Sequence, residues 1–147
     1  MSLIDDLREH PGVYIGLDRD PTSDGSSPAA ARILVTPLPG RAGVALDYET
    51  FNPAHPDRLR GHKEHAVLAR THGGGAVLVT SHIHADSVTI LQETEPGTFE
   101  LGAGASAFPM KIVVSVPEPG RLRYVWWYGM PGDELVERDV AEVALAE

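Results

Sequence analysis

Cysteine is missing from all 147 residues of the chain. This excludes a disulfide framework, a thiol nucleophile and any thiolate metal site. Long apolar runs are missing too: the longest are about five residues, against the roughly 20 that a membrane-spanning helix needs. Residues 1–10 mix both charges and carry no apolar stretch of the signal-peptide kind. Positive charge is scarce, with 12 Lys and Arg against 21 Asp and Glu and a formal net charge of −9. An acidic chain without a basic tract gains nothing from nucleic-acid phosphates or anionic lipid. Neither nucleic acid nor membrane is therefore expected as a partner, and a cytoplasmic location is expected. Two catalytic motifs are absent as well. Gly73-Gly74-Gly75 runs into Ala76-Val77, where a phosphate loop needs Gly-Lys-Ser/Thr. No Gly-x-Ser-x-Gly elbow occurs, so a hydrolase triad has no support.

Glycine and proline are plentiful, 15 and 12 residues respectively, and they are spread along the chain. Such spacing marks turns between short elements. The length fits one domain, residues 1–147, large enough to bury a core without staples. Ser2, with Asp5 three residues on, opens a short helix whose Leu3, Ile4 and Leu7 share a face. Pro11 ends it by disfavouring helical geometry at His10.

Short strand-like runs then follow at residues 12–17, 31–37, 43–51, 59–71, 76–82, 87–92, 98–101, 110–116 and 122–128. Residues 18–28 read as a flexible loop rich in Asp, Ser, Pro and Gly. In 43–51, Val44, Leu46 and Tyr48 fall on one face, and Asp47 and Glu49 on the other. In residues 134–145, Val136, Val140 and Val143 could line a helix, and an even–odd strand reading fits nearly as well. No βαβ unit and no internal repeat is visible. About nine or ten strands with hairpin-length links predict an all-β, antiparallel up-and-down barrel with a short N-terminal helix.

Several local patterns resemble a known superfamily. Gly12-Val13-Tyr14-Ile15-Gly16, after a short helix, resembles the Gly-x-Trp-x-Gly opening of calycin barrels, which include lipocalins and fatty-acid-binding proteins. Tyr14 stands in the place of Trp. Gly61-His62-Lys63-Glu64 with Leu68 resembles the His-x-Glu strand of the nitrobindin-like family, and residues 122–145 resemble its last hairpin in outline. The likeness spans most of the chain. It implies a calycin-like barrel around a cavity for one small apolar or amphipathic ligand. Nitrobindin-like proteins hold haem through a histidine on the final strand. Here the last histidine is His84, and the corresponding stretch reads Glu137-Arg138-Asp139-Val140. The Tyr-Pro-Thr-Ile-type segment is also replaced, by residues 18–28. The resemblance therefore implies the barrel without haem ligation, and no cofactor is expected.

Candidate ligand-binding residues are Tyr48, His62, Glu64, Lys111, Tyr124, Trp126 and Tyr128. His62 and Glu64 share a strand face and form a polar patch if that face is internal. As buried polar groups they would then bond each other, Tyr48, Arg70 or a ligand. The opposite reading is an outward charged row with Lys63 inside. Leu122, Tyr124, Trp126 and Tyr128 alternate along one strand, as an inner aromatic stripe or as plain core. Val125 and Trp127 on the other face need a cover, from the N-terminal helix or from a second subunit in a homodimer. Lys111 shares parity with Val113 and Ser115, and either meets an acidic ligand inside or is solvated. His62, His65, His82 and His84 fall close together in sequence. His62, His82 and His84 suit a divalent metal if their strands pair, but His82 and His84 equally suit an exposed strand end. The leading expectation is a non-enzymatic binding barrel. The alternatives are an enzyme using His62/Glu64 for acid–base chemistry and a histidine-based metal site.

Overall fold

A computed structural model describes residues 2–22, 28–52, 55–101, 109–130 and 132–147. Helix α1 (Leu3–Glu9) precedes ten strands: β1 (Gly12–Arg19), β2 (Ala29–Pro37), β3 (Gly43–Asn52), β4 (His55–Arg70), β5 (Ala76–His82), β6 (Thr89–Glu95), β7 (Thr98–Leu101), β8 (Met110–Ser115), β9 (Arg121–Tyr128) and β10 (Val136–Leu145). Every strand pairs antiparallel with its neighbours in sequence, and β10 closes on β1 with Tyr14 opposite Leu145. The expected up-and-down barrel is thus present, with ten strands. The ambiguous last segment is a strand. Paired to β9 and β1 on both sides, it completes every ladder a closed barrel requires.

Strand alternation builds the interior. Val44, Leu46 and Tyr48 of β3, Leu78 and Thr80 of β5, and Leu122, Tyr124 and Trp126 of β9 are all buried, as successive side chains of a strand must point to opposite faces. Two glycines let strands come close. A Cβ on Gly43 would collide with the Leu68 carbonyl of β4, and one on Gly16 with the Glu142 carbonyl of β10.

Helix α1 closes one end. The Ser2 hydroxyl accepts the Asp5 amide at 3.2 Å, satisfying one free donor of the first turn. Ile4 and Leu7 enter the barrel core, and the helix packs on β2 and β3. Arg8 fastens it: its guanidinium donates to the carbonyls of Leu38 at 3.0 Å, Gly43 at 2.8 Å and Gly40 at 2.5 Å. The helix therefore plugs the barrel and does not lie over Val125 and Trp127, the alternative raised by the sequence. Two Leu/Ile side chains against an apolar rim outweigh a site on the barrel wall.

β1 runs two residues beyond the expected strand. Asp18 and Arg19 lie in it, pairing with Ala141 and Val140, so Asp18 is not in a loop. Its parity with Tyr14 carries the side chain inward, where it is buried.

Candidate functional site

The polar interior lies at the end opposite α1. Its centre is Glu64, which is buried on β4. Oε1 accepts from His62 Nε2 at 2.8 Å and from the Trp126 indole N–H at 2.9 Å. Oε2 accepts from the Tyr124 hydroxyl at 2.8 Å and from the Thr80 hydroxyl. Four donors fill the roughly four lone-pair sites of a carboxylate. Burial pushes the Glu64 carboxyl up. The hydrogen bond and attraction of His62, with Thr80 and Tyr124, outweigh it and hold the group below the usual carboxylate range. Burial, with the Glu64 charge added, drives Tyr124 well above its ordinary range, so it remains a donor.

A directed chain leads to this carboxylate. The His84 backbone N–H donates to His82 Nδ1 at 3.1 Å, and His82 Nε2 lies 3.3 Å from His62 Nδ1. A backbone N–H can only donate. His82 therefore carries its proton on Nε2, His62 receives it at Nδ1, and His62 Nε2–H points at Glu64. His82 is neutral in this arrangement, and burial, the largest influence on it, lowers its pKa in the same sense.

Local backbone devices aim these side chains. β4 bulges against β3 between Leu59 and Lys63, and Gly61 there has φ of 120°, a region that favours glycine. The next residue, His62, turns inward against Tyr48, with ring centroids 4.1 Å apart. A second bulge in β10, at Arg138, sets Asp139 opposite Trp126. Beside the Glu64 cluster, Tyr48 donates to Asp18. Burial pushes Asp18 up to about 6, against the Tyr48 hydrogen bond and with help from Asp139 and Asp20. Asp139 is also pushed up, by burial and by Asp20 and Glu64, opposed by His62.

Above this layer is a pocket of about 600 Å³, with His62, His82, Met110, Trp126, Tyr128 and Asp139 in its wall. Its size falls within the range of small-molecule sites. Another hollow, of about 420 Å³, lies on the outer surface of β1, β9 and β10. Its Arg19, Arg123 and Glu142 are exposed or half-exposed and ion-paired with one another, and no buried polar cluster serves it.

The structure brings together six of the seven candidates. His62, Trp126 and Tyr128 line the pocket, and Glu64, Tyr124 and Tyr48 support it from within. Lys111 is the exception, and the inward reading of it is corrected. Ile112 and Val114 take the interior of β8, which leaves Lys111 outside with its Nζ 4.4 Å from the Trp127 ring centroid. Arg70 reaches no part of the cluster; it binds Asp5 near α1 at 2.6 Å. His65 is on the outer face, paired with Asp47 at 2.5 Å. His84 is in the turn after β5, not on a shared strand face with His82. Among the described residues no three His, Asp or Glu side chains are grouped to hold a metal ion.

Sequence reading missed Thr80, Asp18, Asp139 and Met110. Thr80 was discoverable, because it shares parity with His82 on an expected strand. Asp139 was not, since its direction depends on the bulge.

No known family matches the chain, and no curated protein matches it. The fold and the site therefore carry the functional reading.

Proposed function

We propose that the protein is a small-molecule-binding barrel whose ligand occupies the pocket opposite α1. The observation that carries this is the pocket itself: an apolar and aromatic wall of Met110, Trp126 and Tyr128 facing a few oriented polar groups. Concave, mostly apolar sites with sparse polar groups are what small ligands use. A closed ten-stranded barrel with a helix across one end is compatible with a calycin-like protein, and calycin barrels are carriers in many cases. The nitrobindin-like likeness adds the His62-x-Glu64 strand and supplies no haem ligand. A cytoplasmic setting fits the cysteine-free composition.

The acid–base alternative fits less well. Every nitrogen of His62 and His82 already has a partner, and Glu64 has four donors. A base needs a free lone pair facing substrate. The network is instead suited to holding the pocket's shape.

The test uses the neutral apolar fluorophore N-phenylnaphthylamine. Saturable binding with quenching of Trp126 is expected. Thr89 also lines the pocket, and the variant Thr89→Trp, whose new side chain would fill it, should bind at least about tenfold more weakly. Equal affinity in the two proteins, or no saturable binding, overturns the reading.

A further inference from the structure

The pocket's polar wall has one sign. Asp139 lines it, Asp20 and Glu64 add their negative charge to it from nearby, and Asp18 feels the charges of Asp139 and Asp20. No Lys or Arg lines the pocket among the described residues. Lys111 is outside on Trp127. Arg138 stands over the Tyr128 ring, 5.4 Å from its centroid, and donates to the Tyr128 carbonyl at 3.5 Å and the Thr22 hydroxyl at 3.2 Å. His82 adds no positive charge, because its Nδ1 accepts the His84 N–H and burial lowers its pKa.

The polar groups also differ in what they still offer. Glu64 has all four acceptor sites used, and Thr80 is committed to Glu64. His62 and His82 have both nitrogens engaged. Asp139 is different. It is half-buried, and none of the influences acting on it is a hydrogen bond. It is an ionisable acceptor without a protein donor among the described residues, set opposite Trp126 at the pocket wall. A partly buried carboxylate of this kind gains most from a charge-assisted donor. The Trp126 indole, opposite Asp139 on the neighbouring strand, favours a cation beside an apolar body.

We infer that this pocket selects amphipathic amines, with a protonated amine on the Asp139 carboxylate and an apolar body against Trp126 and Tyr128, and that it disfavours carboxylates such as fatty acids. The inference rests on the pocket being the binding site. An ammonium supplies the donor that Asp139 lacks and offsets the surrounding negative charge. A carboxylate would meet like charge and find no free donor among the imidazoles.

Three ligands with one skeleton separate these cases: naphthylethylamine, naphthylethanol and naphthylpropionate, each in competition with N-phenylnaphthylamine at neutral pH. The amine should bind about tenfold or more tightly than the alcohol, the value of one charge-assisted hydrogen bond. The carboxylate should bind most weakly. Asp139→Asn, of nearly unchanged shape, should abolish the preference for the amine over the alcohol. Should that variant not fold, the unmodified protein gives a second measurement. Amine affinity should fall on acidification, as Asp139 takes up its proton. Protonation of His62, His82, Asp18, Asp20 or Glu64 makes the pocket less negative and acts in the same direction. Tyr128 stays neutral throughout. Alcohol binding should show no such fall. Equal binding of amine and alcohol, tightest binding of the carboxylate, or no competition by any of the three overturns the selectivity. Absence of N-phenylnaphthylamine binding overturns the pocket reading itself.

Discussion

Glu64 shows how much one side chain can organise. Its oxygens take two donors each, so neither can be exchanged for an amide N–H without setting donor against donor. Glu64→Gln should cost about 2–4 kcal/mol in urea unfolding, because a buried polar group loses its match. Tyr124→Phe removes one hydrogen bond and should cost about 1–2 kcal/mol. A smaller loss for Glu64→Gln than for Tyr124→Phe would contradict the shared-carboxylate geometry. Alternation put His62 with Glu64, and Tyr124 with Trp126, on shared strand faces; it did not decide that His62 and Glu64 turn inward. Nor did it identify their partners. Tyr124 and Trp126 come to Glu64 from β9, 60 and 62 residues on, and only register decides which side chains meet.

At the level of the strands, the turn residues punctuated the chain well. Expected and observed limits coincide for β5 and β7, and nearly so for β3, β8 and β9. Misreadings fell where a strand contains polar or irregular residues. Asp18 looked like loop because Asp is rare in strands, yet its two neighbouring strands demanded continuation of β1. The β10 bulge left no mark in the hydrophobic pattern, so strand and helix fitted equally. Close strand approach gives the test at this scale. Gly43→Ala places a methyl on the Leu68 carbonyl and should destabilise by about 1–3 kcal/mol or more. Gly73→Ala, whose added carbon meets open space, should stay within about 0.5 kcal/mol. Similar melting temperatures for the two variants would refute the packing described for β3 and β4.

Taken whole, the molecule sets two internal carboxylates against each other in pH. Asp18 has its pKa raised from 3.8 to about 6 in the folded state. The folded protein then holds the extra proton between these values, so this group's contribution falls as pH rises from 3.8 toward 6. Above that it stays as a fixed penalty of roughly 3 kcal/mol at most, at about 1.4 kcal/mol per pKa unit. Glu64 is lowered, so its contribution is present above its unfolded pKa and is lost as pH falls through the folded value. Asp18→Asn should therefore stabilise at neutral pH by roughly 1–3 kcal/mol. The advantage should vanish near pH 4 and below, in chemical denaturation across that range. A gain independent of pH would mean that Asp18 does not titrate as described.

The pairing of β1 with β10 has a bearing on synthesis. Leu145 is made more than a hundred residues after its partner Tyr14. Until then β1 and β9 each present a bare row of amide and carbonyl groups, the kind of edge that recruits strands from other chains. Antiparallel hairpins from β2 to β9 can form as they appear, but the seam waits for the last strand. Nascent chains are thus exposed to mispairing from the synthesis of β1 until that of β10, and truncation before β10 should yield aggregates in place of a smaller barrel.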